Sequence, residues 1–332
     1  MALPKVAFIG TGGTIASLGV DGLDIIHYGD NKTMIPADQI IARVPEVAQV
    51  ADVIPVPFAT VGSPEVFFPQ WKAISKLADD LVAEHPDLAG IVVGHGTASL
   101  EETAYALSLG IDVEVPVVVV GSQRPLSGLG SDAGHNLVNG IRAAAAAESR
   151  GRGVLTLLND EIHSAREVTK TATTRLQTFT TRDFGMLGHV DGPYLHYYRK
   201  SERKAGAETE FHLSSIEEFP RVDIAYAYTG ADASAIDAFV AAGAQGIVAA
   251  GFAPGGVTAE MRTALEKAHA NGVAVVLSTR AGSGVVHPGA VARAAGFLSA
   301  DNLTPQKARI LLGYALTVTA DPAEIARIFA TY

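Results

Sequence analysis

Val6-Ala7-Phe8-Ile9-Gly10-Thr11-Gly12-Gly13-Thr14-Ile15-Ala16 is the stretch from which the rest of the chain can be read. An apolar, β-branched run of strand length ends in glycines and threonines and then turns apolar again, as a buried parallel strand feeding a crossover does. In open α/β sheets ligands bind beyond the carboxyl ends of such strands. Glycines there let backbone N–H groups approach a ligand, and Thr14 sets a hydroxyl among them, a candidate nucleophile beside a candidate oxyanion hole. Taken alone, the segment also fits a tight strand-to-helix turn without chemistry. It is not a dinucleotide fingerprint, which needs glycine where Ile15 stands, nor a P-loop, which needs Gly-Lys-Ser/Thr.

A second stretch repeats the arrangement: Gly90-Ile91-Val92-Val93-Gly94-His95-Gly96-Thr97-Ala98-Ser99-Leu100-Glu101-Glu102-Thr103-Ala104-Tyr105. Again a threonine follows an apolar strand. Ser99 with Glu102 three residues on predicts a capping box opening a helix to Leu109. Thr97 and Ala98 then lie just ahead of a helix N-terminus, whose partial positive charge favours anions. Glu101 and Glu102 read as helix-start residues rather than catalytic acids.

Between and beyond these stretches, strands alternate with helical patterns, which predicts an α/β fold. Ser17 to Thr33 carries Gly19, Gly22, Gly29, Asp21, Asp24 and Asp30 without helical or strand period, and reads as a lid-like loop containing Tyr28. Val53 to Phe58 alternates as a strand whose prolines point to a sheet edge. Gln70 to Glu84 is a crossover helix with Trp71, Ile74, Leu77, Ala78 and Leu81 on one side. Strands follow at 115–120 and 153–158, with an Ala-rich helix at 136–148 between them. A second βαβ pattern has strands at 222–228, 246–250 and 273–277, helices at about 232–242 and 257–270, and two further helices starting at Pro305 and Pro322. Arg199 to Glu210 is charge-rich and nearly free of large apolar residues. The expected organisation is therefore a larger N-terminal doubly wound sheet domain at 1–198, a linker at 199–220, and a smaller C-terminal parallel-sheet domain at 221–332.

Composition narrows the function classes. The 332 residues exceed one compact core, and with 48% hydrophobic and 18% charged residues they can bury two. A formal net charge of −10 argues against a nucleic-acid surface, which needs clustered Lys and Arg. The absence of cysteine removes disulfides, thiolate metal sites and thiol nucleophiles. The ten histidines never place two imidazoles on one helical turn, so no metal site is expected. Apolar windows are strand-length, so no membrane span is expected. Met1-Ala2-Leu3-Pro4-Lys5 enters the first strand without a signal-peptide h-region, which predicts a cytoplasmic protein, a processed periplasmic form also being compatible.

Together the two threonine stretches resemble the bacterial asparaginase/glutaminase family, whose signatures are Thr-Gly-Gly-Thr-Ile-Ala and His-Gly-Thr-Asp-Thr-x-Glu-Glu-Thr-Ala. The similarity continues through Gly62-Ser63, Gly121-Ser122-Gln123-Arg124-Pro125, Ser131-Asp132-Ala133-Gly134-His135-Asn136-Leu137, Val168-Thr169-Lys170-Thr171 and Thr304-Pro305-Gln306-Lys307-Ala308-Arg309. The resemblance implies an amidohydrolase that converts a small carboxamide into a carboxylate and ammonia. It implies Thr14 as nucleophile, Tyr28 as its activating partner, and Thr97 with Lys170 as a proton-relaying, water-positioning pair. Gly13, Gly62, Ser63, Gly96 and position 98 would bind substrate, with Ser63 as a carboxylate clamp. From the residues alone, Tyr28 fits simple packing equally well, and the alternative for Ser63 is a serine capping a turn. Lys170 sits among small polar residues, where burial lowers an amine's pKa. The resemblance implies no cofactor, and a homotetramer of intimate dimers with each site shared between neighbours.

The departures from the family pattern are coherent. The carboxylate expected after the second threonine is Ala98, and the glutamine expected after the clamp serine is Pro64. Where a neighbouring subunit supplies an asparagine, Ala253-Pro254-Gly255 carries no amide, and where it supplies an acid, Ala281 to Ala300 contains no Asp or Glu. In the family these groups hold the substrate's α-ammonium. Two hydrolytic readings therefore stand side by side, an asparaginase with a rebuilt ammonium pocket and a hydrolase of an amide, lactam or imide without an α-ammonium. A catalytically weak binding homologue is the third.

Overall fold

The computed structural model describes residues 2–31 and 33–332. Contacts divide the chain into two compact units, Met1–Ser214 and Ser215–Tyr332.

In the first unit, β1 (Lys5–Gly10), β2 (Asp52–Val56), β3 (Leu88–Gly94), β4 (Val117–Val120) and β5 (Leu155–Leu158) run parallel. The sheet continues antiparallel through β6 (Glu161–Ser164), while β7 (Thr169–Lys170) and β8 (Phe179–Thr180) form a separate two-stranded ribbon. Then β9 (Gly188–Asp191) and β10 (Tyr194–Tyr197) complete a large sheet of order β10-β9-β6-β5-β4-β3-β1-β2 among the described residues. The apolar runs at 6–9, 91–93 and 117–120 are buried because each central strand is covered on both faces. β2 is the edge strand, as its prolines predict: among the described residues it pairs only with β1, and Pro55 lies opposite Phe8.

The helices of this unit are α1 (Ala37–Arg43), α2 (Phe68–Glu84), α3 (Leu100–Gly110) and α4 (Ala133–Ala145). Trp71 of α2 donates from Nε1 to Thr103 Oγ1 of α3 at 3.0 Å, satisfying two polar groups that packing would otherwise strand. On α4, Leu137, Ile141 and Ala144 join Val92, Val118 and Val120 in one apolar cluster. The loop expected as a lid is closed at its base by a bridge between Ser17 and Met34. Along its length, the Ser127 hydroxyl accepts from the Gly19 N–H and Leu129 N–H donates to the Gly22 carbonyl. Part of the charge-rich stretch expected as linker packs with this unit: Thr209 Oγ1 donates to the Leu109 carbonyl at 2.6 Å, and Phe211 and Leu213 are buried.

The second unit is a parallel sheet of β11 (Val222–Tyr226), β12 (Gly246–Gly251), β13 (Ala274–Thr279) and β14 (Leu298–Ser299). Its helices are α5 (Ser234–Ala241), α6 (Ala259–Ala270), α7 (Ala290–Ala294), α8 (Pro305–Val318) and α9 (Pro322–Thr331). Ile247, Ala249, Met261, Leu265, Val275 and Leu277 form its core, and Thr258 caps α6 by accepting from the Met261 N–H at 3.2 Å. Among the described residues no helix is long and apolar enough to cross a membrane.

Candidate active site

The carboxyl ends of β1 and β3 deliver the two threonine loops to one place. Thr11 ties them together, donating from both N–H and Oγ1 to the Gly94 carbonyl at 2.9 Å. Gly12 and Gly13 adopt φ of 105° and 77°, conformations that favour glycine. Side-chain bulk is excluded there as well: a Cβ on Gly13 would lie 2.1 Å from the Gly96 Cα, and one on Gly96 would lie 2.8 Å from the Ser63 Cβ. Gly96 thus lies against both Gly13 and Ser63, and Thr14 and Thr97 each follow directly on that junction. Gly62, by contrast, has an ordinary extended backbone and room for a side chain.

Each threonine has a specific partner. Thr14 Oγ1 and the Tyr28 hydroxyl share a 2.7 Å hydrogen bond, so the long loop places Tyr28 against the strand-end threonine. Lys170 Nζ donates to Thr97 Oγ1 at 2.8 Å, and Thr97 Oγ1 donates to Gln123 Oε1 at 2.9 Å. Thr14, Ser63 and Thr97 are buried, whereas Ala98 is exposed. Burial lowers the Lys170 pKa, and the negative charge of Glu101 partly opposes this.

Three positioning residues escape a reading of the sequence. Glu101 is buried and accepts from Thr169 Oγ1 at 3.1 Å and from the Lys170 N–H at 3.2 Å, anchoring the strand that carries Lys170. Gln123 donates from Nε2 to the Arg175 carbonyl at 3.0 Å while receiving Thr97. Asp132 accepts from the Gln123 and Arg124 N–H groups and from Asn136 Nδ2, fixing the loop that holds Gln123. The capping box expected at Ser99 does not form. The Ser99 backbone lies outside the extended region an N-cap uses (φ −127°, ψ 18°) and its side chain caps no helix N–H, while its hydroxyl donates to the Ser63 carbonyl at 2.6 Å.

His95 is fully buried, with Nδ1 2.8 Å from the Gly96 carbonyl oxygen. Burial pulls its pKa down to about 4, and the Gly96 hydrogen bond only partly offsets this. The folded state therefore keeps a neutral imidazole where the unfolded chain takes up a proton below about pH 6.5. Stability is unaffected by His95 above that pH and is lost as pH falls from about 6.5 towards 4, by up to about 3 kcal/mol. Denaturant unfolding at pH 7 and pH 4.5 should show this loss, and His95→Gln should reduce it. An unchanged pH slope in that variant would assign the acid lability to other groups.

In the second unit, Pro254, Gly255 and His287 line a cavity of about 290 Å³ together with Arg262, Val291 and Phe297. Its walls carry neither carboxylate nor side-chain amide.

The family described as "Asparaginase, N-terminal" matches residues 5–203, and "Glutaminase/Asparaginase C-terminal domain" matches residues 221–329. The chain belongs to the asparaginase family. It is 38% identical to L-asparaginase 2 of Bacillus subtilis (strain 168) over 330 residues, spanning 99% of this chain and 87% of that protein. To L-asparaginase 2 of Escherichia coli (strain K12) it is 36% identical over 334 residues, spanning 100% and 94%. Its fold matches the crystal structure of a probable cytoplasmic L-asparaginase from Campylobacter jejuni with a TM-score of 0.94 at 33% identity, covering 100% of both chains. Members of this family are amidohydrolases, and the two-unit α/β architecture is theirs.

Proposed function

We propose that this asparaginase-family chain hydrolyses a small carboxamide, L-asparagine being the family's substrate, through Thr14 as nucleophile. The observation that carries the proposal is the pairing of two buried threonine hydroxyls, one with Tyr28 and one with Lys170, on loops packed backbone to backbone. A binding module requires neither pairing. Thr14 Oγ1 attacks the amide carbonyl carbon while its proton passes to the Tyr28 oxygen and Tyr28 gives its own proton to the leaving nitrogen. The C–N bond then breaks as the leaving nitrogen gains a proton, releasing ammonia and an acyl ester on Thr14. Water held by Thr97 cleaves the ester and restores the hydroxyl. In this scheme Ser63 receives the substrate carboxylate, and no cofactor takes part.

The second reading, an amide without an α-ammonium, rests on Ala98 and Pro64, on the lack of an amide at Ala253-Pro254-Gly255, and on the lack of Asp or Glu from Ala281 to Ala300. A substrate ammonium left without its anion in a partly buried pocket costs about 3–5 kcal/mol, or about two to three orders of magnitude in kcat/KM. Ammonia release from L-asparagine, L-glutamine and succinamate separates the readings. Under the second, wild type handles succinamate at least as well as asparagine, and Ala98→Asp improves the asparagine-to-succinamate ratio by about tenfold or more. The substitution suits its position, exposed and ahead of the α3 N-terminus, where a negative charge is favoured. Wild type preferring asparagine with a low KM would show that other residues rebuild the ammonium pocket. Absence of ammonia release from every amide, together with no ring opening of a lactam or imide, would defeat both readings.

A further inference from the structure

We propose that His189, Asp191 and His196 form a binding site for one late first-row divalent cation of the Zn²⁺ type on the outer hairpin of the large sheet. In the β9–β10 pairing His196 lies directly opposite His189. Strand alternation places Asp191, two residues on, on the same face as His189. One donor atom from each side chain falls within a set no more than 4.8 Å across, and His189 Nε2 is already 2.9 Å from Asp191 Oδ2. Bonds of about 2.0–2.2 Å to one tetrahedral ion set neighbouring donors about 3.3–3.5 Å apart. A shift of up to about 1.5 Å at the exposed His196 side chain brings the donors to that spacing.

The surroundings favour coordination over a chance surface cluster. The Tyr198 hydroxyl lies 3.0 Å from His189 Nδ1, so that nitrogen is held in a hydrogen bond and Nε2 is the one presented to Asp191. Metal-bound imidazoles have such an outer partner, which fixes tautomer and ring orientation. The two strands are also held in contact beside the site, because a Cβ on Gly188 would lie 2.0 Å from the His196 carbonyl oxygen. Two imidazoles and one carboxylate suit Zn²⁺, Cu²⁺ or Ni²⁺, whereas Ca²⁺ and Mg²⁺ require mostly oxygen. Three protein ligands leave one position to water. β10 is the last strand of the sheet, so the ion cross-links an edge that otherwise has one neighbour. None of these residues belongs to the threonine site.

The test uses the untagged full chain, freed of metal with a chelator and titrated with Zn²⁺ by calorimetry. One ion per chain is expected, with affinity at least tenfold weaker in His196→Ala and in the near-isosteric Asp191→Asn. Both variants should keep the wild-type circular dichroism and ammonia release. Zn²⁺ should raise the Tm of wild type and not of His196→Ala, and Co²⁺ should give the intense visible bands of a four-coordinate site. Failure of wild type to bind Zn²⁺ stoichiometrically, or wild-type affinity in both variants, overturns the proposal.

Discussion

Thr14→Ala is expected to lower kcat for the best amide substrate by about 10⁴-fold or more while leaving KM and Tm nearly unchanged. The size follows from removing the atom that forms the covalent bond, a loss other groups do not replace. The structural cost is small, because the hydroxyl's recorded partner is Tyr28, half-exposed on its loop and open to water. Losing one such hydrogen bond costs about 1 kcal/mol. Tyr28→Phe should give a smaller loss, about 10²-fold, since it removes a proton acceptor and keeps the nucleophile. Single-turnover ammonia release on both variants checks the ordering. Turnover retained in Thr14→Ala would move the nucleophile elsewhere, Thr97 being the next buried hydroxyl.

The strand-end turns are legible in the sequence because they are written in short local strings. The Gly12-Gly13-Thr14 and Gly96-Thr97 turns announce themselves because glycines, hydroxyls and apolar strands adjoin within a few residues. The resemblance also suggested Tyr28 and Lys170, which the fold places in hydrogen-bond contact with Thr14 and Thr97. Glu101 and Gln123 stayed hidden because their partners are remote: Lys170 is 69 residues from Glu101, and Thr97 is 26 from Gln123. A buried acid in a helix's first turn reads as ordinary dipole compensation until the strand it holds is known. Ser99 departs for the opposite reason, a local capping pattern whose first residue takes a backbone conformation set by its loop, not the extended one a cap needs. The antiparallel strands β6, β9 and β10 are four residues each, too short for period-2 alternation to stand out. Hence the histidine pair of the outer hairpin, joined by cross-strand register and not by helical spacing, was missed along with them.

Lys170→Met is expected to lower kcat by about 10²- to 10³-fold, and Thr97→Val by a similar factor, while the double variant loses little more than the worse single one. The reason is a single chain of hydrogen bonds, from Lys170 Nζ through Thr97 Oγ1 to Gln123 Oε1, with Gln123 held in turn by the Arg175 carbonyl. Removing either member leaves the other with nothing to relay. At rest both protons point along the chain towards Gln123. For Thr97 to give its proton to Lys170, the lysine must first be neutral, which burial favours. The kcat/KM profile should therefore rise with pH as Lys170 loses its proton. Glu101→Gln tests the assignment directly: its amide oxygen still accepts from Thr169 and the Lys170 N–H, but the charge that stabilises the ammonium is gone. The Lys170 pKa then falls further, and the rising limb moves to lower pH. Additive losses in the double variant, or a limb that moves to higher pH in Glu101→Gln, would show that Thr97 and Lys170 do not act as one unit.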